Sequence, residues 1–372
     1  MKKAYILTFF YSTNYGSKLQ ATALGKQLES MGYEVRFIKT FWDIPFLLRH
    51  PSLMYTRVQN LIHRKETQDF FNSEEYEITP ERQKRIDQYN KDYLKFVTVK
   101  KHSQWKEILK DNPVFIAGSD IIWQPALGYP DKYFLDFAYY TKCKRISYAS
   151  SVGAKKLPAK YRKYYKKYLE SFDAISVREN ATIKLFKGIV NKKIVKVIDP
   201  TLLVDRKTWD EIGDQAKLPQ SIRKDNYILC YFVMNDERYW EYVRKAAAQE
   251  NAQIVVLPMH KQDESQPYTI ITDGTPSEFI ELIRNAKFVI TDSFHASVFS
   301  FLYDKELYIL RRARQDEDEK FNDLLTRYEM KERMVTDETA FTRNAEFSYE
   351  NGKKVLEQER AFARDYLDKA LN

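Results

Sequence analysis

The stretch from Phe288 to Phe301, FVITDSFHASVFSF, constrains the fold of this chain most strongly. It opens with a short apolar, β-branched run that is typical of a buried strand. Residues that can cap a helix N-terminus follow, and the apolar segment from Ala296 to Leu302 has the character of a helix. A strand, a tight turn and a helix in this order indicate a parallel α/β sheet.

His295 falls in the first turn of this predicted helix. Backbone N–H groups are unpaired there and the helix dipole favours anions. Parallel sheets also bind ligands at the carboxyl ends of their strands. A histidine in this place could donate a proton to an anionic ligand, which Ser293 could help to bind. The ordinary alternative is a half-buried histidine that caps or packs.

The first forty residues predict a βαβ unit. Residues 4–10 form an apolar strand, residues 18–31 a helix that ends at a glycine, and residues 33–38 the next strand. Such a unit implies a parallel, right-handed crossover. Its loop lacks the glycine pattern of dinucleotide-binding sites. Three loop residues are nonetheless expected to line the mouth of the crevice: Asn14, Tyr15 and Gly16.

Three further predicted strands end in polar residues. The strand that begins at Val114 ends in Gly-Ser-Asp, the one from Lys144 in a serine-rich loop, and the one from Ala174 in Arg-Glu. The carboxyl ends of parallel strands meet at one edge of a sheet, so these groups are expected to form a site. Each signal is weak alone, since an arginine at a strand end is more often part of a surface ion pair. The residues concerned are Gly118, Ser119, Asp120, Ser150, Ser151 and Arg178.

At 372 residues the chain is long for one domain, and two domains are expected. The strand–helix rhythm restarts near residue 206, which predicts an N-terminal domain over 1–205 and a C-terminal domain over 206–345. A final helix within 346–372 is expected to pack back on the N-terminal domain. Residues 42–110 break the rhythm and predict a helical insertion that covers the sheet, with its charges solvated. The alternative is a surface for a bulky or lipid-linked acceptor.

Composition excludes several classes of protein. Cys143 and Cys230 lie far apart and outside any CxxC pattern, which argues against a disulfide scaffold or a zinc site. No stretch is long and apolar enough to span a bilayer, and the apolar N-terminal run is too short for a signal peptide, so a cytoplasmic location is expected. The net charge of +9 favours anionic partners, either phosphorylated small molecules or an anionic membrane surface. We expect no nucleic-acid partner, because no nucleic-acid-binding signature is present.

Six segments resemble, in order, the motifs of the polysaccharide pyruvyl transferase family. Together they extend from Ile6 to Tyr328, which is most of the chain. The sixth, DSFH, departs from the Arg-x-His spelling of better-known members. The segments are NYGS from Asn14, GSDIIW from Gly118, SYASSVG from Ser147, SVRE from Ser176, DPTL within the segment that begins at Val197, and DSFH from Asp292.

This resemblance implies an α/β fold with two Rossmann-like domains that face each other across a cleft, as in GT-B glycosyltransferases. It also implies an activity, the transfer of the enolpyruvyl group of phosphoenolpyruvate onto two hydroxyls of one sugar. The products are a pyruvate ketal and phosphate. Phosphoenolpyruvate is a donor substrate, and the chemistry requires neither a cofactor nor a metal.

Roles follow from the resemblance and the chemistry together. His295 would protonate the methylene carbon of phosphoenolpyruvate. Arg178, which matches the family's arginine, would bind the phosphate or the carboxylate. Lys320, in a family-like KFNDLL segment, or an arginine at 311, 312 or 314 would supply a second positive charge; Lys320 could equally be a solvated loop charge. Asp120 would orient or deprotonate the acceptor hydroxyl, and Ser119 and Ser293 would bind phosphate.

Two other functions stay open at this point. A nucleotide-sugar glycosyltransferase of the same fold would hold a diphosphate in the cleft, and Glu278 or Arg312 would matter more than His295. A non-catalytic, membrane-associated assembly protein would use the basic insertion. The sequence also leaves open which sugar is the acceptor, and whether it is free, nucleotide-linked or lipid-linked at the inner face of a membrane.

Overall fold

Two five-stranded parallel sheets, one in each half of the chain, form the framework of the protein. Their central strands are short apolar runs that are buried on both faces, as parallel sheets covered by helices require. The computed structural model describes residues 2–10, 14–40, 79–100, 102–125, 131–138, 141–154, 156–234, 236–311 and 318–372.

In the N-terminal half the strands are β1 (Lys2–Leu7), β2 (Tyr33–Thr40), β3 (Phe96–Val99), β4 (Val114–Ala117), β5 (Arg145–Ser147), β6 (Ile175–Val177) and β7 (Ile194–Lys196). The helices are α1 (Tyr15–Ser30), α2 (Pro80–Tyr93), α3 (His102–Leu109), α4 (Ala159–Leu169), α5 (Asn180–Phe186) and α6 (Pro200–Leu203). Two short 3-10 turns cover Asp131–Phe134 and Asp136–Ala138.

In the C-terminal half the strands are β8 (Tyr227–Tyr231), β9 (Gln253–Val256), β10 (Thr269–Ile270), β11 (Phe288–Thr291) and β12 (Glu306–Ile309). The helices are α7 (Arg206–Gly213), α8 (Glu237–Glu250), α9 (Lys261–Glu264), α10 (Pro276–Asn285), α11 (Phe294–Leu302), α12 (Asp318–Arg327) and α13 (Glu350–Leu371). A 3-10 turn covers Lys331–Arg333.

Both sheets have the same strand order. The N-terminal sheet runs β3-β2-β1-β4-β5, and the C-terminal sheet runs β10-β9-β8-β11-β12. Parallel bridges from Ile146 to Ala174 and from Ser150 to Val177 join the β6–β7 pair to β5. In each sheet the strand order reverses direction beside the first strand, and such switch points form ligand crevices at the carboxyl ends of the strands. The predicted α/β class with two Rossmann-like domains is therefore confirmed.

The segment predicted as a helical insertion contains a strand of the main sheet. Strand β3 pairs with β2, so that Phe37 lies opposite Phe96 and Ile38 opposite Val97. Its four residues stand among lysines and carry no alternating pattern long enough to outweigh the charged surroundings. The predicted insertion otherwise comprises α2, α3 and residues 42–78, and the last of these lie outside the described residues.

The two domains meet through an aromatic contact and a buried arginine. Tyr15 of α1 packs against Tyr231 and Phe279 of the C-terminal domain, with ring centroids 5.6 and 5.5 Å apart. Arg82 of α2 is fully buried and donates hydrogen bonds to the Tyr15 hydroxyl at 2.8 Å and the Gly274 carbonyl at 3.2 Å. Both domains thus contribute to one continuous apolar core.

Helix α13 contacts the N-terminal half near the end of β7 and β5. Arg360 donates to the carbonyls of Leu202 and Val204 at 2.7 and 2.9 Å, and the Tyr366 hydroxyl donates to the Ser147 carbonyl at 2.8 Å. The domain boundaries at 205 and 345 stay predictions. In the described part of the chain, no helix combines the length and the apolar character needed to cross a bilayer.

Lys18 is a buried cation in the first turns of α1. Its ammonium donates to the Phe10 carbonyl at 2.9 Å, and only 3% of the residue is exposed. Burial above all, and then the charges of Arg82 and Lys39, lower the pKa of Lys18 from the ordinary 10.5 to about 8. Between these two values the unfolded chain binds more protons than the folded one, so stability rises with pH.

The stability difference between wild type and Lys18→Met is expected to depend on pH. The free energy of unfolding of wild type should gain about 3 kcal/mol relative to the variant between about pH 7 and about pH 10.5. Urea denaturation across this range measures the difference. Lys369→Met, at a position where the side chain is 75% exposed, is the control and should show no such trend. A difference that stays flat for Lys18→Met would contradict the prediction.

Candidate functional site

His295 lies where strand β11 gives way to helix α11. Ser293 caps this helix, its hydroxyl accepting from the Ala296 amide at 3.4 Å, so His295 stands in the first helical turn as predicted. The side chain of Asp292 accepts hydrogen bonds from the amides of Val233 and Met234, which ties this turn to the residues that follow β8. His295 is 7% exposed and its position is set by the surrounding backbone.

The imidazole of His295 rests on the backbone of Gly16 in the other domain. A Cβ atom added at Gly16 would overlap the ring, so glycine is what permits the contact. Asn14 caps α1, its side-chain oxygen accepting from the Gly16 amide at 2.8 Å. The N-termini of α1 and α11 therefore converge on one histidine, and both favour an anion at this point.

Asp199 is the carboxylate nearest to His295. Its Oδ2 lies 3.8 Å from the His295 Nε2 and accepts from Arg178 Nη1 at 2.9 Å, while its Oδ1 accepts from the amide and the hydroxyl of Thr201. Burial alone would raise the pKa of Asp199. The charges of His295 and Arg178 and the two Thr201 hydrogen bonds outweigh burial and hold the pKa below its usual value.

Arg178 is held by two carboxylates. Its Nε donates to Glu179 at 2.7 Å and its Nη1 to Asp199, while the guanidinium lies over the ring of Phe294 at 5.1 Å from the centroid. Burial lowers the pKa of Arg178. The negative charges of Glu179, Asp199 and Asp120 raise it by more than burial lowers it, so the pKa lies above its ordinary value. The side chain is thus a permanent, oriented cation between the two domains.

Asp120 borders this cluster from the end of β4. It adopts a left-handed backbone conformation, with φ of 80°, which turns the chain sharply after the strand. Its carboxylate accepts from the Ser17 hydroxyl at 2.9 Å and from the Ile121 amide at 2.9 Å. The same carboxylate is close enough to Arg178 to raise the pKa of that arginine.

The small residues predicted for the site mainly hold the ends of neighbouring strands together by hydrogen bonds and close packing. The Ser150 hydroxyl donates to the Gly118 carbonyl at 2.9 Å, and the Ser151 hydroxyl accepts from the Gly153 amide at 3.1 Å. A side chain at Gly118 would collide with Thr8, so glycine permits the close approach of β1 and β4. The Ser119 hydroxyl is fully buried and has no hydrogen-bond partner among the described residues.

Two predicted site residues, Tyr15 and Lys320, stand apart from this cluster in what the structure describes. Tyr15 is buried between the domains, its hydroxyl accepts from Arg82, and burial raises its pKa to about 12. Lys320 belongs to α12, but the position of its side chain lies outside the described residues. The Arg312 and Arg314 alternatives lie outside them as well.

A small recess of about 20 Å³ opens beside Arg178. Helix α12 forms its outer wall and brings Asp323 and Arg327 to it, side chains that the sequence analysis did not single out. Asp323 is paired with Lys196 at 2.5 Å and Arg327 at 2.7 Å. The recess is lined by Arg178, Glu179, Asp199, Leu202, Phe294, Asp323, Leu324, Arg327 and Tyr328.

Asp199 is the residue of this cluster that the sequence analysis did not single out. It stands in the DPTL segment, where an aspartate before a proline is a common helix cap, and it does cap α6. That local role gave no signal that its second oxygen would meet Arg178, 21 residues earlier, and approach His295 in the other domain.

In the described part of the chain, no three His, Cys, Asp or Glu side chains are grouped to hold a metal ion.

Gly16→Ala is expected to weaken the contact between the domains. The added methyl group occupies the volume of the His295 ring, so the free energy of unfolding should fall by about 1–3 kcal/mol. In a His295→Ala background that volume is free, and the same change should be close to neutral, since alanine favours a helix more than glycine does. Urea denaturation of the four proteins gives the coupling between the two positions.

Gly25→Ala in the same helix is the matched control. The nearest atom to an added Cβ there is Phe37 Cζ at 3.1 Å, the end of a side chain rather than a ring of the other domain. Its effect should be equal in the wild-type and His295→Ala backgrounds. If Gly16→Ala also behaves equally in both, the ring does not lie against Gly16.

Comparison with solved structures shows only distant likeness. UDP-GlcNAc 2-epimerase from Methanocaldococcus jannaschii is 14% identical, with a TM-score of 0.48 over 96% of this chain and 92% of that one. The corresponding epimerase from Rickettsia bellii is 10% identical, with a TM-score of 0.49 over 97% and 88%. UGT89C1 from Arabidopsis thaliana, solved with quercetin, is 10% identical, with a TM-score of 0.43 over 100% and 94%. Likeness this weak says nothing about substrates, and the fold rests on the sheet topology above.

Sequence comparison identifies the family. Curated proteins gave no match. The profile of the polysaccharide pyruvyl transferases matches residues 14–312, from the cap of α1 to just beyond β12, and so includes Asn14, Asp120, Arg178, Asp199 and His295. The match extends over more than half of the chain and contains every strand of both sheets except β1. The chain therefore belongs to the polysaccharide pyruvyl transferase family.

Proposed function

We propose that this transferase uses phosphoenolpyruvate as its donor and attaches pyruvate to two hydroxyls of one sugar as a ketal, with release of phosphate. The observation that carries the proposal is the cluster of His295, Arg178 and Asp199 at the junction of the two domains. A proton donor, a fixed cation and a carboxylate that orients both are the groups this chemistry needs. The acceptor is a sugar of a cell-surface polysaccharide or of its precursor.

His295 is the proposed general acid. Its proton goes to the methylene carbon of phosphoenolpyruvate, which makes C2 electrophilic, and one sugar hydroxyl then adds to C2. The C2–phosphate bond breaks, and the second hydroxyl adds to the same carbon to close the ketal. The two sugar hydroxyls lose one proton each. One of these protons returns to His295, which gave its own to the methylene carbon, and the other leaves with the phosphate. Asp120 is the proposed partner of the acceptor hydroxyl.

The donor's negative charge sets a further requirement. Three carboxylates surround the cluster, Asp120, Glu179 and Asp199, and they outnumber the cations Arg178 and protonated His295. The N-termini of α1 and α11 supply partial positive charge but not a full one. Another cation is needed, and Lys320 fits this role because its helix, α12, forms a wall of the recess beside Arg178.

The structure disfavours the glycosyltransferase alternative at one residue. Glu278 was expected to matter in such an enzyme, yet it is fully buried and its oxygens are already engaged. They accept from the Thr275 amide at 2.8 Å, from the Thr275 hydroxyl, and from the Lys217 amide at 2.7 Å, and Arg85 pairs with the same carboxylate. A carboxylate with this many partners is unavailable to a nucleotide.

Phosphate release from phosphoenolpyruvate tests the proposal. Purified protein is incubated with galactose-, glucose- and N-acetylmannosamine-terminated acceptors, and wild type is compared with His295→Ala. We expect acceptor-dependent phosphate from wild type and at least about a hundredfold lower kcat/KM from the variant. His260→Gln, at a buried histidine that bonds to the Val233 carbonyl, is the control and should retain most of the activity.

Calorimetry decides the case if no acceptor gives phosphate. Binding of phosphoenolpyruvate to wild type would keep the donor assignment and leave the acceptor to be found. Binding of a nucleotide sugar without any binding of phosphoenolpyruvate would overturn the proposal. Unchanged biological function in His295→Ala, with neither ligand bound, would favour the non-catalytic alternative.

In the Asp199→Asn variant, the rate is expected to fall at a lower pH than in wild type. A general acid must be protonated, so the rate falls at alkaline pH, and the Asp199 carboxylate stabilises the imidazolium form. Without that carboxylate the alkaline limb should move to lower pH. Asp205→Asn, at a side chain that is 70% exposed, is the control. A lower rate with an unshifted profile would make Asp199 a purely structural residue.

A further inference from the structure

Positive charge is concentrated in one part of the N-terminal domain. Residues 141–196 contain sixteen Lys and Arg and only three Asp and Glu, a net charge of +13, whereas the whole chain carries +9. The remainder of the chain is therefore net negative by four charges. Such an asymmetry along a folded chain is a physical argument about partners rather than about the fold.

The fold collects much of this charge on two neighbouring helices. Helices α4 and α5 lie side by side, with the rings of Tyr165 and Phe186 6.0 Å apart. All four tyrosines of α4 point inward and are buried. The outward side of α4 and α5, which we call the lysine face, consists of Arg162, Lys163, Lys166, Lys167, Lys184 and Lys187, all of them exposed.

Five of the six cations on this face have no carboxylate partner in the part of the chain that the structure describes. Within the described ranges, no ion pair up to 4.0 Å is formed by Arg162, Lys163, Lys166, Lys184 or Lys187. Some exposed lysines elsewhere are paired. Pairs with carboxylates are made by Lys110, Lys245, Lys353 and Lys369.

The chemistry of the lysine face points to an extended anionic surface. Lysine is a hydrated point charge that attracts anions without the bidentate geometry through which arginine recognises individual groups. The aromatic rings of α4 are turned inward, so the helix offers no platform on which nucleic-acid bases could stack. Two adjacent helices form a broad patch, about 16 Å long from the length of α4, which suits a flat partner better than a single polymer chain.

We propose that the lysine face docks this protein on a bilayer that contains anionic phospholipids. Helix α5 begins two residues after Arg178, so the strand that carries this arginine leads directly into the docking face. Docking would therefore hold the site near the membrane, where an acceptor carried by a lipid is present. The inference does not rest on the pyruvyl-transfer chemistry, because vesicle binding is measured without donor or acceptor.

Co-sedimentation with lipid vesicles tests this proposal. Full-length protein is mixed with vesicles of phosphatidylcholine alone and of phosphatidylcholine with phosphatidylglycerol. Wild type should bind only the anionic vesicles, and the binding should weaken steeply as salt is added. Replacing Lys163, Lys166, Lys184 and Lys187 by glutamine should weaken binding about a hundredfold or more, at about fivefold per lysine.

A second quadruple variant is the matched control. Lys110, Lys245, Lys353 and Lys369 are replaced by glutamine, which lowers the net charge by the same four units at positions outside the lysine face. Its vesicle binding should stay within a few-fold of wild type. Phosphate release with a soluble acceptor should be the same in both variants, which separates docking from catalysis.

Three results would overturn the proposal. The first is equal binding of wild type to neutral and anionic vesicles. The second is equal loss of binding in the two quadruple variants, because net charge rather than the lysine face would then be responsible. The third is binding of wild type to a soluble acidic polysaccharide, dependent on the four lysines, without binding to anionic vesicles.

Discussion

The contact between the His295 ring and the Gly16 backbone joins the two domains at the candidate site. It joins the first turn of a helix in one domain to the first turn of a helix in the other. Tyr15, the neighbour of Gly16, fills the aromatic contact with Tyr231 and Phe279. The start of α1 and its cap Asn14 therefore support the histidine and set the distance between the domains.

Asp199 extends this contact into a network of buried charges. A buried carboxylate without partners is strongly unfavourable, and here Arg178, His295 and Thr201 compensate it. Buried ion pairs add little net stability compared with apolar packing, so the gain from this arrangement is orientation. The carboxylate sets the directions of the guanidinium and the imidazole together, and removing it would disturb both.

Sequence patterns were sufficient where the structure is local. The strand–turn–helix around His295, its cap Ser293 and the parallel order of the sheets follow from apolar runs and helix caps, whereas α1 begins at Tyr15, three residues before the predicted start. Patterns were insufficient where residues distant in sequence meet. Nothing near Asp199 indicated that it would join residues of two domains, and β3 was too short to stand out from its lysines.

The positions of the domain contacts and of the lysine face are compatible with movement of the cleft. The described contacts between the domains include those of α1, α2 and Asp199, the Arg178–Phe294 contact and the Lys196–Asp323 pair, and Arg85 of α2 is only partly buried where it pairs with Asp273. The tyrosines of α4, in contrast, belong to an apolar cluster made entirely of N-terminal residues. A protein docked through α4 and α5 would therefore have its N-terminal domain fixed, while the C-terminal domain, which carries His295, could separate from it. Substrate entry requires such separation, because His295 and Arg178 are both nearly buried in the closed arrangement.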